Sequence, residues 1–179
     1  LNYVKQDELN ADEGIINFQN GLLRLKDMAL LPHSPEVYST TQLPCEWHGE
    51  PMPTPVFDRY VARLMDNDPE MLNLCIEIVG AVISNVKCFR MKKSAFFVGD
   101  GNTGKSQIKS LVECILGAKN YIGIDLREIE ARFGTGAVYG TRLAGSADMS
   151  FMSVGELKTF KSLTGGDHVM AEFKGMPLF

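Results

Sequence analysis

The segment Gly99-Asp100-Gly101-Asn102-Thr103-Gly104-Lys105-Ser106 constrains this chain more than any other. It has the spacing of a phosphate-binding loop, and that chemistry requires these residue types. Glycines let the backbone wrap closely round a polyphosphate, so that successive N–H groups face it. A lysine reaches the β- and γ-phosphates, and a serine or threonine hydroxyl holds Mg²⁺. Here Gly99 and Gly104 frame the turn, Lys105 supplies the charge and Ser106 the metal ligand. The helix expected to follow turns its positive N-terminus toward the anion. A chance match in a chain of this length is on the order of one in a hundred at average residue usage. The local context favours the motif further, because an apolar run precedes it and an amphipathic stretch follows. The competing reading is a glycine-rich surface turn. The motif points to binding and hydrolysis of a nucleoside triphosphate.

Composition sets wide bounds round that motif. At 179 residues the chain fits one domain, or one domain with a small accessory piece. Hydrophobic residues make up 45% and charged residues 22%, which excludes bulk disorder. The net charge of −4 advertises no nucleic-acid partner, yet an acidic body can carry a basic channel or loop. Cys45, Cys75, Cys88 and Cys114 show no paired spacing and read as reduced thiols. His48 beside Cys45 lacks a second ligand pair, so a packed Trp47 among polar neighbours is the expectation there. With no signal-like opening and no apolar stretch of about 18 residues, a cytoplasmic protein without a membrane partner is expected. Leu1 in place of an initiator methionine, and Phe179 closing an apparent strand, read as the ends of an excised fragment.

Three regions are expected. Residues 1–53 form an irregular lead-in, with Asn20-Gly21 turning a small hairpin between residues 15–18 and 22–25. Residues 54–90 form a small helical domain. Thr54-Pro55 and Asp68-Pro69 are helix starts. Val56, Tyr60, Val61, Leu64 and Met65 share one helical stripe, and the nearly all-round apolar run from Met71 to Ile83 is expected to be buried. Residues 91–179 form the loop-bearing core. Ala95–Val98 reads as a buried strand, Lys105–Leu116 as a helix stopped by Gly117, and Leu126–Arg132 as a short helix. Arg142–Ala147 reads as a second strand, and Val154–Leu163 as a helix stopped by Gly165-Gly166. Strands alternating with helices predict an α/β fold with a mostly parallel sheet. Residues 84–119 carry seven basic residues against two acidic ones, a solvated face or a contact for phosphate or DNA.

Two further features complete the candidate chemistry. An ATPase needs an acid at the end of a neighbouring strand to orient Mg²⁺ and its water. Asp148 is the candidate, Glu156 a more distant one, and a helix-capping loop aspartate the alternative. Then Leu163-Thr164-Gly165-Gly166-Asp167-His168 leads into Val169–Gly175 and Met176-Pro177-Leu178-Phe179. This reads as a hairpin whose tip presents Lys174, with an ordinary solvated lysine as the alternative.

Taken together, these residues resemble the helicase part of the phage and plasmid primase–helicase family, within superfamily 3 of the AAA+ ATPases. The resemblance spans nearly the whole chain: Asn20–Leu23 and Leu31–Pro35 in the lead-in, residues 54–83, the Gly99–Ser106 loop, Arg132-Phe133-Gly134 with Arg142-Leu143, and Leu163–Asp167. It implies an AAA+-type core that uses ATP and Mg²⁺, forms a hexameric ring and translocates on single-stranded or forked DNA, with a primase domain upstream. Lys105 and Asp148 are then catalytic, and Gly99, Asp100, Gly101, Asn102, Thr103, Gly104, Lys105 and Ser106 hold nucleotide. Ser106 and Asp148 serve the metal, and Lys174 and His168 contact DNA. Met149 after Asp148 departs from the family, which usually has a second acid there. The sensor asparagine and arginine finger are expected beyond Phe179, so the fragment is expected to bind ATP but turn it over poorly. The alternatives are a DNA-binding switch or loader ATPase that does not unwind, and a small-molecule kinase, for which no arginine-rich lid is visible.

Overall fold

The computed structural model describes Lys5, residues 8–146 and residues 157–177. In chain order its strands are β1 (Ile15–Phe18), β2 (Gly21–Arg24), β3 (Ala29–Leu31), β4 (Tyr121–Gly123) and β5 (Leu143–Gly145). Its helices are α1 (Pro55–Leu64), α2 (Pro69–Ile83), α3 (Cys88–Met91), α4 (Lys105–Leu116), α5 (Leu126–Glu130), α6 (Gly134–Val138) and α7 (Lys158–Gly165). The chain divides into two compact units, Leu1–Asn85 with Phe96–Gly117, and Val86–Ala95 with Ala118–Phe179. No helix among the described residues is long and apolar enough to cross a membrane.

The first unit opens with an antiparallel meander, β1-β2-β3. Phe18 pairs with Gly21, so the tight turn falls on Gln19 and Asn20, one residue earlier than the sequence predicts. A reciprocal bond explains the shift. Asn20 Nδ2 donates to the Trp47 carbonyl at 2.8 Å, and Asn20 Oδ1 accepts the Trp47 N–H at 2.9 Å. The Trp47 ring packs on Phe18 with centroids 5.7 Å apart. Leu22 and Leu23 are both buried although neighbouring strand residues face opposite sides, so both faces of the ribbon are covered.

The helical part of this unit is assembled round one small core. Val61 and Met65 from α1 and its cap, Cys75 from α2 and Ile108 from α4 are buried together, with Phe57, Tyr60, Leu64 and Leu72 packed against them. Tyr60, Val61, Leu64 and Met65 form the expected stripe of α1; only at its start does the structure differ, with Phe57 turned inward in place of Val56. Helix α2 starts where Asp68-Pro69 predicts. Asp68 Oδ1 accepts the N–H groups of Glu70 at 2.8 Å and Met71 at 3.3 Å. Its burial differs from expectation: Cys75 is buried, while Met71, Leu74 and Ile76 stand about half exposed. The helix meets the core through one side only, so hydrophobicity all round did not become burial all round.

A second correction concerns Ala95–Val98. The run belongs to neither sheet, Phe96 and Phe97 are exposed, and Val98 is 92% exposed. Apolar composition favours burial, but it does not by itself bring other elements to cover the run. The mostly parallel sheet is likewise reduced, among the described residues, to β4 and β5, which pair in parallel over Tyr121↔Leu143, Ile122↔Ala144 and Gly123↔Gly145. The fold is mixed α/β with a small parallel sheet.

Elsewhere in the second unit, local capping does much of the ordering. Asp125 and Glu128 form a reciprocal capping box at the start of α5. At the far end of that helix, the Glu130 carboxylate accepts the Thr159 and Phe160 N–H groups, each at 2.9 Å, and so caps the first turn of α7. Burial pushes the Glu130 carboxyl up, but those two N–H donors and the charge of Lys161 outweigh it and hold the group below its ordinary value.

Two outcomes follow from these caps. Asp68→Ala removes an N-cap acceptor and is expected to lower stability by about 1 kcal/mol, with Asp68→Asn close to neutral. Equal losses in both variants on denaturant unfolding would refute the cap. For Glu130 the folded pKa lies below the unfolded one, so its contribution is complete above the carboxylate range and lost as pH falls through the folded value. Hydrogen-exchange protection of the Thr159 and Phe160 amides should therefore drop as the pH falls below the ordinary carboxylate range, and Glu130→Gln should flatten that dependence. The same acid-induced drop in Glu130→Gln as in the parent would count against it.

Candidate functional site

The Gly99–Ser106 segment is a loop that runs directly into α4, whose first residue is Lys105. Asn102 and Gly104 both adopt left-handed backbone, with φ of 59° and 98°. A Cβ at Gly104 would also crowd the Tyr60 ring, 3.2 Å away. The Lys105 ammonium folds back into the loop. It donates to the Gly99 carbonyl at 3.0 Å, to the Asp100 carbonyl, and to Thr103 Oγ1 at 3.1 Å. Thr103 Oγ1 in turn donates to the Asp100 carbonyl at 3.1 Å. Ser106 is exposed on the first turn of α4.

Among the described residues, no N–H from Gly101 to Ser106 donates to a protein acceptor; those of Gly104, Lys105 and Ser106 open the helix, where no intrahelical partner exists. These N–H groups, the dipole of a twelve-residue helix and one lysine make a concentrated set of anion-binding groups. Helix α4 is held at its other positions by the buried side chains Ile108, Val112 and Leu116, spaced one turn apart. The loop is thus fixed at its helical end by the core of the first unit.

Tyr60 was missed as a site residue by sequence reasoning. Its hydroxyl donates to the Gly104 carbonyl at 2.7 Å. In the sequence it is one more member of the α1 core stripe. The available signal was its hydroxyl, since a tyrosine in a packed stripe needs a partner for that group.

Lys174 lies in the second unit, at an exposed turn. The Met176 N–H donates to the Phe173 carbonyl at 3.0 Å, and Lys174 and Gly175 (φ 80°) are the two central residues. The turn at Lys174 is therefore formed, but among the described residues neither flank is a strand, and there the expected hairpin is a turn on extended chain. What anchors it is a set of contacts the sequence did not signal. Arg132 grips Glu172 with both nitrogens, Nε at 3.0 Å and Nη2 at 2.7 Å, which raises the Arg132 pKa and lowers that of Glu172. The Phe173 ring meets Tyr139 edge-on at 6.2 Å. Gly136 lies so close that a Cβ there would stand 2.3 Å from the Glu172 carbonyl oxygen. Lys174 itself pairs with no acid among the described residues. His168 is exposed in the same unit, between α7 and this turn. Asp148 and Glu156, the candidate acids, lie outside the described residues.

Residues 3–66 match the family described as D5 N terminal like, and residues 97–179 match a family of unknown function, DUF5906. No curated protein matches the chain. The second match covers both the Gly99–Ser106 loop and the Lys174 turn, and the first ends one residue past the C-cap of α1. The D5 N terminal like segment is typical of phage and plasmid primase–helicase proteins.

Proposed function

We propose that the chain is the helicase part of a phage or plasmid primase–helicase, with an AAA+-type core that couples ATP hydrolysis to movement along single-stranded DNA. The observation that carries this reading is the Gly99–Ser106 loop: a lysine folded among its carbonyls and a run of N–H groups at the start of α4. The donor set suits a magnesium triphosphate. Backbone N–H groups of residues 101–106 would face the phosphates, Lys105 would supply positive charge, and Ser106 would ligate the metal. Mg²⁺, if bound there, would supply charge neutralisation on the phosphates. Asp148 is assigned to the metal and its water from sequence. The D5 N terminal like match raises the primase–helicase reading above a stand-alone switch ATPase or a small-molecule kinase.

Lys174 and His168 are assigned to DNA phosphate. A lysine at the tip of a turn, held from behind by the Arg132–Glu172 pair and without an acidic partner among the described residues, keeps its charge available. A point charge of this kind contacts phosphate without reading bases, as translocation on any sequence demands. In the same reading the protein acts as a ring of subunits, with a primase domain upstream.

Titration with a fluorescent ATP analogue tests the loop. Lys105→Ala should weaken binding roughly tenfold to a hundredfold, the loss expected for hydrogen bonds to a charged group; unaltered affinity would overturn the assignment. Lys174→Ala should leave nucleotide binding intact and weaken single-stranded DNA binding for every sequence alike. The slope of log K against log salt should become shallower by about 0.7. An unchanged slope would remove Lys174 from the DNA path.

A further inference from the structure

We infer that Tyr60 is a positioning residue for the phosphate loop, setting the direction and donor strength of the Lys105 backbone N–H through the Gly104 carbonyl. This rests on the reading of Gly99–Ser106 as a polyphosphate site. The Gly104 C=O and the Lys105 N–H belong to one peptide group, so whatever holds the oxygen also orients the nitrogen. That oxygen accepts the Tyr60 hydroxyl at 2.7 Å and the Gln107 N–H at 2.8 Å. Two donors on one carbonyl polarise the peptide, and a polarised peptide has a stronger N–H donor on its far side. The Lys105 N–H is that donor, and it opens α4 where the helix offers N–H groups to an anion.

Packing adds to the bond. The Tyr60 ring lies against Gly104, with Cε2, Oη and Cζ within 3.2, 3.7 and 3.9 Å of the position a Cβ would occupy. A loop containing Gly99, Gly101 and Gly104 has wide backbone freedom, and a clamp at its last glycine removes part of that freedom before a ligand arrives. The clamp is itself rigid, because Tyr60 packs on the core of Val61, Met65, Cys75 and Ile108. Burial pushes the phenol up, so the hydroxyl remains a donor at neutral pH. Tyr60 lies in the D5 N terminal like segment and Gly104 in the DUF5906 segment, so this bond joins the two matched regions of the chain.

The test is calorimetric titration of the 179-residue chain with Mg-ADP, a slowly hydrolysed Mg-ATP analogue and inorganic tripolyphosphate. Tyr60→Phe keeps the ring and removes the bond, while Gly104 O retains Gln107 as a donor. It should weaken all three ligands by a similar factor, roughly threefold to tenfold. Replacement of Tyr60 by 3-fluorotyrosine, assayed below the pKa of that phenol, keeps ring and hydroxyl and strengthens the donor. It should restore or exceed the parent affinity, a gradation that a purely structural role would not produce. If the parent binds all three ligands and both variants bind them equally well, the positioning role is overturned and the loop assignment stands. If the parent binds none of them, the loop assignment fails and the inference falls with it.

Discussion

The packing of Ile108 against Val61, Met65 and Cys75 is the constraint on which the first unit depends. Helix α4 begins in a loop of glycines and polar residues that has no core of its own. Its direction is therefore set from below, by Ile108, Val112 and Leu116 on one side of the helix. Because the N–H groups of the first turn project along the helix axis, whatever fixes that axis fixes where an anion is attracted. Two helices from a different part of the sequence do this, α1 and α2, and α1 also reaches the loop through Tyr60. A small core here serves aim more than bulk stability.

The Lys174 turn follows a different design. Among the described residues it has no strand ladder, and its place is set by discrete contacts: a two-pronged ion pair, an edge-on ring contact and a glycine that lets two backbones close to near contact. The ion pair is partly open to water and is worth little as a source of stability. Its value lies in direction, since a guanidinium engaged through two nitrogens fixes the angle of its carboxylate as well as the distance. Arg132 also lies over the Phe133 ring at 5.1 Å, which limits the positions it can adopt. The residue two places after that carboxylate is Lys174.

Local signals in the sequence were legible where one short segment determines the outcome. The two proline-led helix starts, the glycine ending α4, and the β1-β2 ribbon all follow from residues within a few positions of each other. So does the passage from a glycine-containing loop into α4 at Lys105. What could not be read were outcomes that depend on a distant partner. Ala95–Val98 has the composition of a buried strand, yet Phe96, Phe97 and Val98 are exposed, because burial depends on what packs against a run and not on its composition alone. Met71–Ile83 has the composition of a buried helix, but the neighbours meet only one of its sides. The Tyr60–Gly104 bond spans 44 residues and the Arg132–Glu172 pair 40, and nothing local announces either. Strand β4 escaped because Tyr121-Ile122-Gly123 is too short to show alternation.

The state of Lys105 links the loop to the chemistry proposed for it. Its ammonium is surrounded by two carbonyls and one hydroxyl, all neutral, so the positive charge is solvated by the loop without being cancelled. An acidic partner there would stabilise the loop more strongly but would then compete with phosphate for the lysine. Neutral acceptors avoid that competition. Exchanging them for phosphate oxygens replaces dipolar contacts with charge-assisted ones, which are roughly twice as strong. The same loop keeps its one nearby acid, Asp100, facing the ammonium with its backbone carbonyl rather than its carboxylate. A loop that holds its lysine this way is ordered in advance and still gains by accepting an anion, which is what a site for a highly charged, repeatedly exchanged ligand requires.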